Sequence, residues 1–221
     1  MKIIPKYLST IEISSDVIYR GHSNKDWELK PSIGRYYTGD WKFVAADERK
    51  AFEEFKRLSI PHIKYQPSSD IEWLCLMQHH GCATRLLDFT TNPLIALFFA
   101  SDPTIPEDGE VVIARYSNKN ENIDDVNLFS RIYSFAYYPP HITERIIGQS
   151  GCFVYCNQPN QSLNSKQVNR FPVAKKHKFE IRHELKTLGI TYSNLFPGLD
   201  GICRDLNDSL VGSLEIEELV S

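Results

Sequence analysis

The sequence predicts a single α+β domain over residues 1–221, with a central mixed or antiparallel sheet enclosing buried helices. Three observations carry that expectation. Helix-like and strand-like runs are interspersed without the regular βαβ spacing of a doubly wound sheet. The run Pro93 to Ala100 is apolar on every side, so it belongs at the heart of a core. No internal repeat, low-complexity tract or linker divides the chain, and 221 residues suffice for one sizeable core.

In chain order, residues 13–20 form a short β-rich run stopped by Gly21 and read as a strand. Residues 41–60 are helical: Glu and Lys abound, Phe52, Phe55 and Ser59 share a face, and Pro61 ends it. Residues 71–80 predict a second helix closed by Gly81. Asn92 is a good N-cap and Pro93 suits the first helical position, so a third helix starts there. Residues 110–116 and 152–156 read as strands, and 142–147 as a short element of open type. Residues 118–125 and 158–169 read as polar loops. Residues 175–181 read as a modest strand with a basic stripe, and 182–188 as a helix closed by Gly189. Leu199, Ile202, Cys203, Leu206 and Leu210 trace one face of a C-terminal helix. The acidic stretch 214–220 is left open between strand, helix end and frayed tail.

Composition narrows the function classes. Hydrophobic residues make up 42% and aromatics 12%, too much burial for a disordered chain. Twenty-five basic against twenty-eight acidic residues give a net charge of −3, so the chain as a whole does not attract nucleic acid or anionic membrane. A local basic cleft stays compatible with that. No apolar run reaches the ~18–20 residues of a membrane span, and the N-terminus lacks the apolar core of a secretion signal. Five cysteines, an odd number, fit reduced thiols and a cytoplasmic setting. Without a CxxC pair they read as small hydrophobes, and no metal is expected.

Two segments put charge where apolar core belongs. In Tyr19-Arg20-Gly21-His22 an arginine follows an apolar strand, and the glycine lets another group approach the backbone. A guanidinium fixed there either clasps a phosphate or carboxylate, or pairs with a buried carboxylate to hold the fold. The segment from Gln78 to Pro93 joins two apolar helices and carries His79, His80, Thr84, Arg85, Asp88, Thr90, Thr91 and Asn92. So many donors and acceptors must satisfy each other or serve a ligand. Asp88 can pair with Arg85 or neutralise Arg20. Adjacent helical histidines diverge by about 100° and do not share one ion.

These motifs make the chain recognisable. Tyr-Arg-Gly at 19–21, Trp-Glu-Leu-Lys-Pro-Ser-Ile-Gly-Arg at 27–35, and Gln-His-His-Gly through Leu-Phe-Phe-Ala at 78–100 resemble the FRG domain family, a bacterial and mobile-element group. Arg145-Ile146 with Gln149, Gly151 and Phe153 fits a further signature, and Leu195-Phe196-Pro197 its C-terminal pattern. The likeness covers about residues 15–205, leaving 206–221 as a helix end and acidic tail.

More remotely, Tyr-Arg-Gly is similar to the first motif of arginine-type ADP-ribosyltransferases, whose arginine holds the NAD diphosphate or adjacent ribose. Thr90-Thr91-Asn92 before an apolar helix is similar to their central segment, and Gln149 to Phe153 stands where their third motif carries a catalytic glutamate. The resemblance implies NAD as substrate, bound by Tyr19, Arg20, Gly21, His22, His79, Thr84, Arg85, Thr90, Thr91 and Asn92. Arg20, Asp88 and Gln149 are the implied catalytic residues. It also implies a nucleotide ligand, a protein or nucleic-acid acceptor, and a role in toxins or phage defence. No carboxylate lies between Gln149 and Phe153, and glutamine is no general base. Either Asp88 supplies that charge, or the site binds without reacting.

Other features point less far. Arg35 and Arg145 sit in family-like motifs and can extend an anion site around Arg20. Trp27, Trp41 and Trp73 read as packing residues, and Lys175-Lys176-His177-Lys178 as a solvated edge. Asp88, Glu180 and His79 are the residue types of a nuclease, but nothing gathers them into a magnesium site. No nucleophile elbow, Walker loop, dinucleotide fingerprint or zincin helix occurs.

Overall fold

The structure, a computed structural model, describes residues 3–12, 14–36, 40–116, 128–130, 133–163 and 168–220. It is an α+β domain built on one six-stranded sheet. The strands are β1 (Val17–His22), β2 (Leu86–Thr90), β3 (Gly109–Arg115), β4 (Phe135–Tyr137), β5 (Gly151–Tyr155) and β6 (Val168–Val173). Their order is β4-β5-β2-β1-β3-β6, and every neighbouring pair is antiparallel.

The joint in the middle differs from the rest. β1 pairs with β3 along its whole length, from Val17 opposite Arg115 to His22 opposite Glu110. With β2 it shares a single register pair, Tyr19 opposite Thr90. The sheet is therefore two three-stranded halves meeting at one rung.

Helices frame the sheet, most of them over one face. They are α1 (Ile3–Thr10), α2 (Ser32–Tyr36), α3 (Trp41–Ser59), α4 (Asp70–His79), α5 (Pro93–Ala100), α6 (Glu144–Gly148), α7 (Lys178–Thr187), α8 (Tyr192–Leu195) and α9 (Leu199–Val220). α5 lies over β1 and β3, packing Ile95, Ala96, Phe98 and Ala100 against Val17, Tyr19 and Val111. It starts as its sequence dictates: Asn92 Oδ1 accepts from the Leu94 amide at 2.9 Å, with Pro93 following. α3 and α4 bury Phe52, Leu74 and Met77 against Leu86, Phe153 and Tyr155 of the other half. The opposite face buries Ile18, Leu87, Phe89, Val112 and Val154 under Leu29 of a connecting segment. By strand alternation, Arg20 and His22 lie on this second face with Ile18.

Several expectations need correction. Residues 175–181 are not a strand: Lys175–His177 is a 3₁₀ turn leading directly into α7. The reason is Lys178, whose ammonium is buried and donates to the carbonyls of Ser23 at 2.7 Å and Ile105 at 2.8 Å. The linker from Gln78 to Pro93 contains a strand, β2, and the loop expected over 158–169 ends in β6. Residues 142–147 resolve as the short helix α6, and 214–220 continue α9. The face of Leu199, Ile202, Leu206 and Leu210 is helical but exposed. The loop expected at 118–125 lies outside the described residues. Gly81 and Gly189 end α4 and α7 with positive φ, as expected. Among the described residues, no helix is long and apolar enough to cross a membrane.

Candidate functional site

Arg20 is carried by the strand at the one-rung joint. Gly21 beside it is required by packing: a Cβ there would stand 2.0 Å from the Ala96 carbonyl oxygen. The group that approaches this glycine is thus the backbone of α5. Tyr19 points to the helical face, buried, with its hydroxyl donating to the Glu12 carbonyl at 2.8 Å.

The Arg20 guanidinium is partly exposed, at 16% of its side chain. Nη1 donates to the Asp88 carbonyl at 2.6 Å, reaching across the joint to β2, and lies 3.7 Å from Asp88 Oδ2. Nε donates to His22 Nε2 at 3.0 Å. Two of the five N–H donors make these hydrogen bonds, and the Asp88 carboxylate is the ion-pair partner of the same guanidinium. Burial lowers the affinity of Arg20 for its proton, with Asp88 opposing and Arg35 adding to the effect. Arginine stays charged regardless. Arg35 is held nearby, its Nε donating to the Lys30 carbonyl at 3.1 Å.

His22 is buried and sits edge-on to Trp27, with ring centroids 6.2 Å apart. Its Nδ1 faces Glu110 Oε1 at 3.4 Å, and that same oxygen is ion-paired with Arg170 of β6. Burial outweighs Glu110 and holds the imidazole below its usual proton affinity, helped by the two arginines.

The Gln78–Asn92 segment splits into two groups. Asp88 is exposed and accepts from Gln78 Nε2 at 2.7 Å, while Gln78 Oε1 accepts from the Thr84 hydroxyl. Thr84 and Arg85 are fully buried. Arg85 Nε donates to Glu48 Oε2 at 2.8 Å, Nη1 to the Tyr155 hydroxyl at 2.8 Å, and its backbone amide to Glu48 Oε1 at 2.8 Å. The rings of Phe129 and Tyr155 flank the guanidinium at 4.9 and 5.4 Å. Asp88 therefore meets Arg20, and Arg85 belongs to Glu48. His79 and His80 stand perpendicular, centroids 5.0 Å apart. Burial depresses the His79 proton affinity, His80 and Arg145 reinforcing it.

At the joint between β2 and β5, Thr90 is buried and donates to the Gln149 carbonyl at 2.7 Å. The Thr91 amide donates to the Ser150 carbonyl at 3.0 Å, and the Thr91 hydroxyl is exposed. Gln149 donates its side-chain amide to the Leu195 carbonyl at 3.0 Å. Ser150, between α6 and β5, has φ of 45°, a left-handed conformation that glycine adopts more readily. The three motifs are thus neighbours through β1, β2 and β5. Arg20, Asp88 and Gln78 make direct contact; Thr84 and Arg85 lie inside.

Sequence reasoning missed Glu48, Gln78 as a partner of Asp88, and Glu110. Glu48 was detectable, because it sits four residues from each of Val44 and Phe52 on the buried face of α3. Glu110 and Arg170 depend on pairing of strands far apart in the chain and leave no local signal. A cavity of about 470 Å³ lies elsewhere, lined by Thr10, Glu12, Val17, Arg115, Arg170 and Phe171. Among the described residues no cluster of His, Cys, Asp or Glu is placed to hold a metal ion.

No curated protein and no solved structure matches the chain. The family model of the FRG domain matches residues 15–108, which span β1 through α5 and hence Arg20, Asp88 and the threonines of the joint. The Tyr-Arg-Gly strand and the Gln78–Asn92 segment both fall within the match, so residues 15–108 of the chain carry an FRG domain.

Proposed function

We propose that the Arg20 joint binds the phosphates of a nucleotide, with NAD as the substrate of an ADP-ribosyltransferase-like toxin or phage-defence effector. One observation carries the reading: a partly buried guanidinium, fixed at two donors and beside an exposed carboxylate, has further donors to offer where β1 and β2 share a single rung. Burying a cation is costly unless it is fully paired, so leftover donors at such a site favour an anionic guest. Arg35 beside it adds a second positive charge.

In the catalytic version, Arg20 holds the diphosphate while the bond between ribose C1′ and the nicotinamide nitrogen breaks. The bonding electrons pass to the pyridinium ring, which leaves as neutral nicotinamide. The oxocarbenium-like sugar is then captured by a protein or nucleic-acid nucleophile, whose proton passes to Asp88 or solvent. Asp88 is the carboxylate adjoining Arg20, and its exposure leaves it able to face a sugar.

A second reading is a binding module without turnover. It is favoured by Gln149, which bears no charge and whose amide is engaged by Leu195. Calorimetry with NAD and ADP-ribose, alongside a nicotinamide-release assay, tests both. Saturable binding lost in Arg20→Ala, with nicotinamide release lost in Asp88→Asn, supports the enzyme. Binding that survives Asp88→Asn with no release in the wild type supports the module. No binding of either compound to folded wild type overturns the nucleotide reading.

A further inference from the structure

We propose that His22, held by Glu110 and Arg170, is a positioning residue that fixes Arg20 for an anionic guest and releases it on taking up a proton. This rests on the anion-site reading of Arg20 above and adds its regulation.

The argument is one of donors and acceptors. Arginine has five N–H donors and no acceptor. The 3.0 Å contact between Arg20 Nε and His22 Nε2 therefore needs a lone pair on Nε2, which places the proton of the neutral ring on Nδ1. Nδ1 points to Glu110 Oε1 at 3.4 Å, an electrostatic contact longer than a good hydrogen bond. Glu110 is itself anchored by Arg170 across the β3–β6 pair, where Val112 faces Arg170 and Glu110 faces Pro172. One line of side chains thus runs from β6 through β3 to β1 and ends on the guanidinium.

The groups facing His22 are Arg20 from its own strand, Glu110 from β3, Arg170 behind that carboxylate from β6, and the Trp27 ring from the following segment. Two cations and a nonpolar ring oppose one carboxylate, so the neutral ring is the resting form. A proton on Nε2 would point N–H at N–H and set two positive charges in contact. The Arg20–His22 bond cannot survive that, and Arg20 would keep only its Asp88 contacts.

The sign follows. His22 has its proton affinity lowered by folding. Its contribution to stability is therefore complete above the usual histidine range near 6.5, and is lost as pH falls below that toward the lower folded value. Anion affinity conferred by a fixed Arg20 falls in the same direction.

Two measurements test this. In ¹⁵N-histidine-labelled protein, with His22 assigned by His22→Gln, long-range ¹⁵N–¹H spectra from pH 8 to 5 report the ring directly. The expected result is an unprotonated Nε2 that persists below the usual histidine range. A proton on Nε2 at pH 7 overturns the proposal, whether or not any ligand binds. The second measurement is calorimetry with pyrophosphate between pH 8 and 5. Wild type should lose affinity by up to about tenfold per pH unit once His22 titrates. His22→Gln offers Arg20 a carbonyl acceptor at every pH, so its affinity should change over this range only as far as the protonation of pyrophosphate itself requires. A His22→Gln profile that falls like the wild type overturns the proposal. If pyrophosphate binds to no variant, the anion-site reading fails and the regulation proposed here fails with it. The nitrogen spectra then report only whether His22 still orients Arg20.

Discussion

Arg20 and Arg85 make the most instructive contrast in the molecule. Both are arginines in charged motifs inside apolar sequence, and both lie against the sheet. Arg85 is sealed, with Glu48 on two sides and aromatic rings flanking it. Arg20 is anchored by a carbonyl and an imidazole, has the exposed Asp88 carboxylate at 3.7 Å as its ion-pair partner, and stays partly open. A buried arginine facing a carboxylate at 2.6 Å serves the fold. One hydrogen-bonded to neutral acceptors, with its carboxylate farther off and in water, is compensated less completely. The identity of the acceptor, more than burial, separates the two.

The largest way to break this contrast is Arg85→Ala. It leaves Glu48 charged and unpaired in the interior and should cost about 3–5 kcal/mol in urea denaturation. Replacing both partners, Arg85→Met with Glu48→Leu, should recover most of that loss. If the single variant is as stable as the wild type, Arg85 is not a structural residue.

Gly21→Ala should cost about 1–3 kcal/mol, because the new methyl meets the α5 backbone and forces α5 and β1 apart. Thermal unfolding measures it. Arg20→Ala should cost about 1–3 kcal/mol of stability, less than Arg85→Ala, and lower anion affinity more than about tenfold, since charge-assisted bonds carry about 1.5–3 kcal/mol each. A fold that collapses on this substitution would make Arg20 a second Arg85. The smallest effect is expected for Ser150→Gly, which relieves the left-handed backbone and should stabilise by up to about 1 kcal/mol in the same denaturation assay.

What could be read from the sequence was local. The start of α5 is written in Asn92 and Pro93, and the ends of α4 and α7 in Gly81 and Gly189. The fold class followed from interspersed runs. β2 was hidden because its five residues lie inside a motif whose chemistry drew attention from its alternation. β6 was hidden by Pro172 and by polar residues facing outward on an edge strand. The 175–181 stretch misled because a lysine run suggests solvent, whereas Lys178 is drawn inward by two carbonyls more than 70 residues away. The candidate site divides in the same way. Arg20 and Asp88 are visible as charges in apolar surroundings. Their pairing, the sealing of Arg85 by Glu48 and the line through Glu110 to Arg170 depend on contacts that only the folded chain creates.

The single rung between β1 and β2 has a mechanical meaning. The sheet behaves as two plates stitched at Tyr19 and Thr90, and the Arg20 guanidinium, resting on the Asp88 carbonyl, is a clip beside that stitch. A visitor held by the clip's spare donors leaves the stitch in place and adds its own hold to it. Occupancy would slow amide hydrogen exchange along the seam, and a mass readout of that exchange would register the visitor as a tightening.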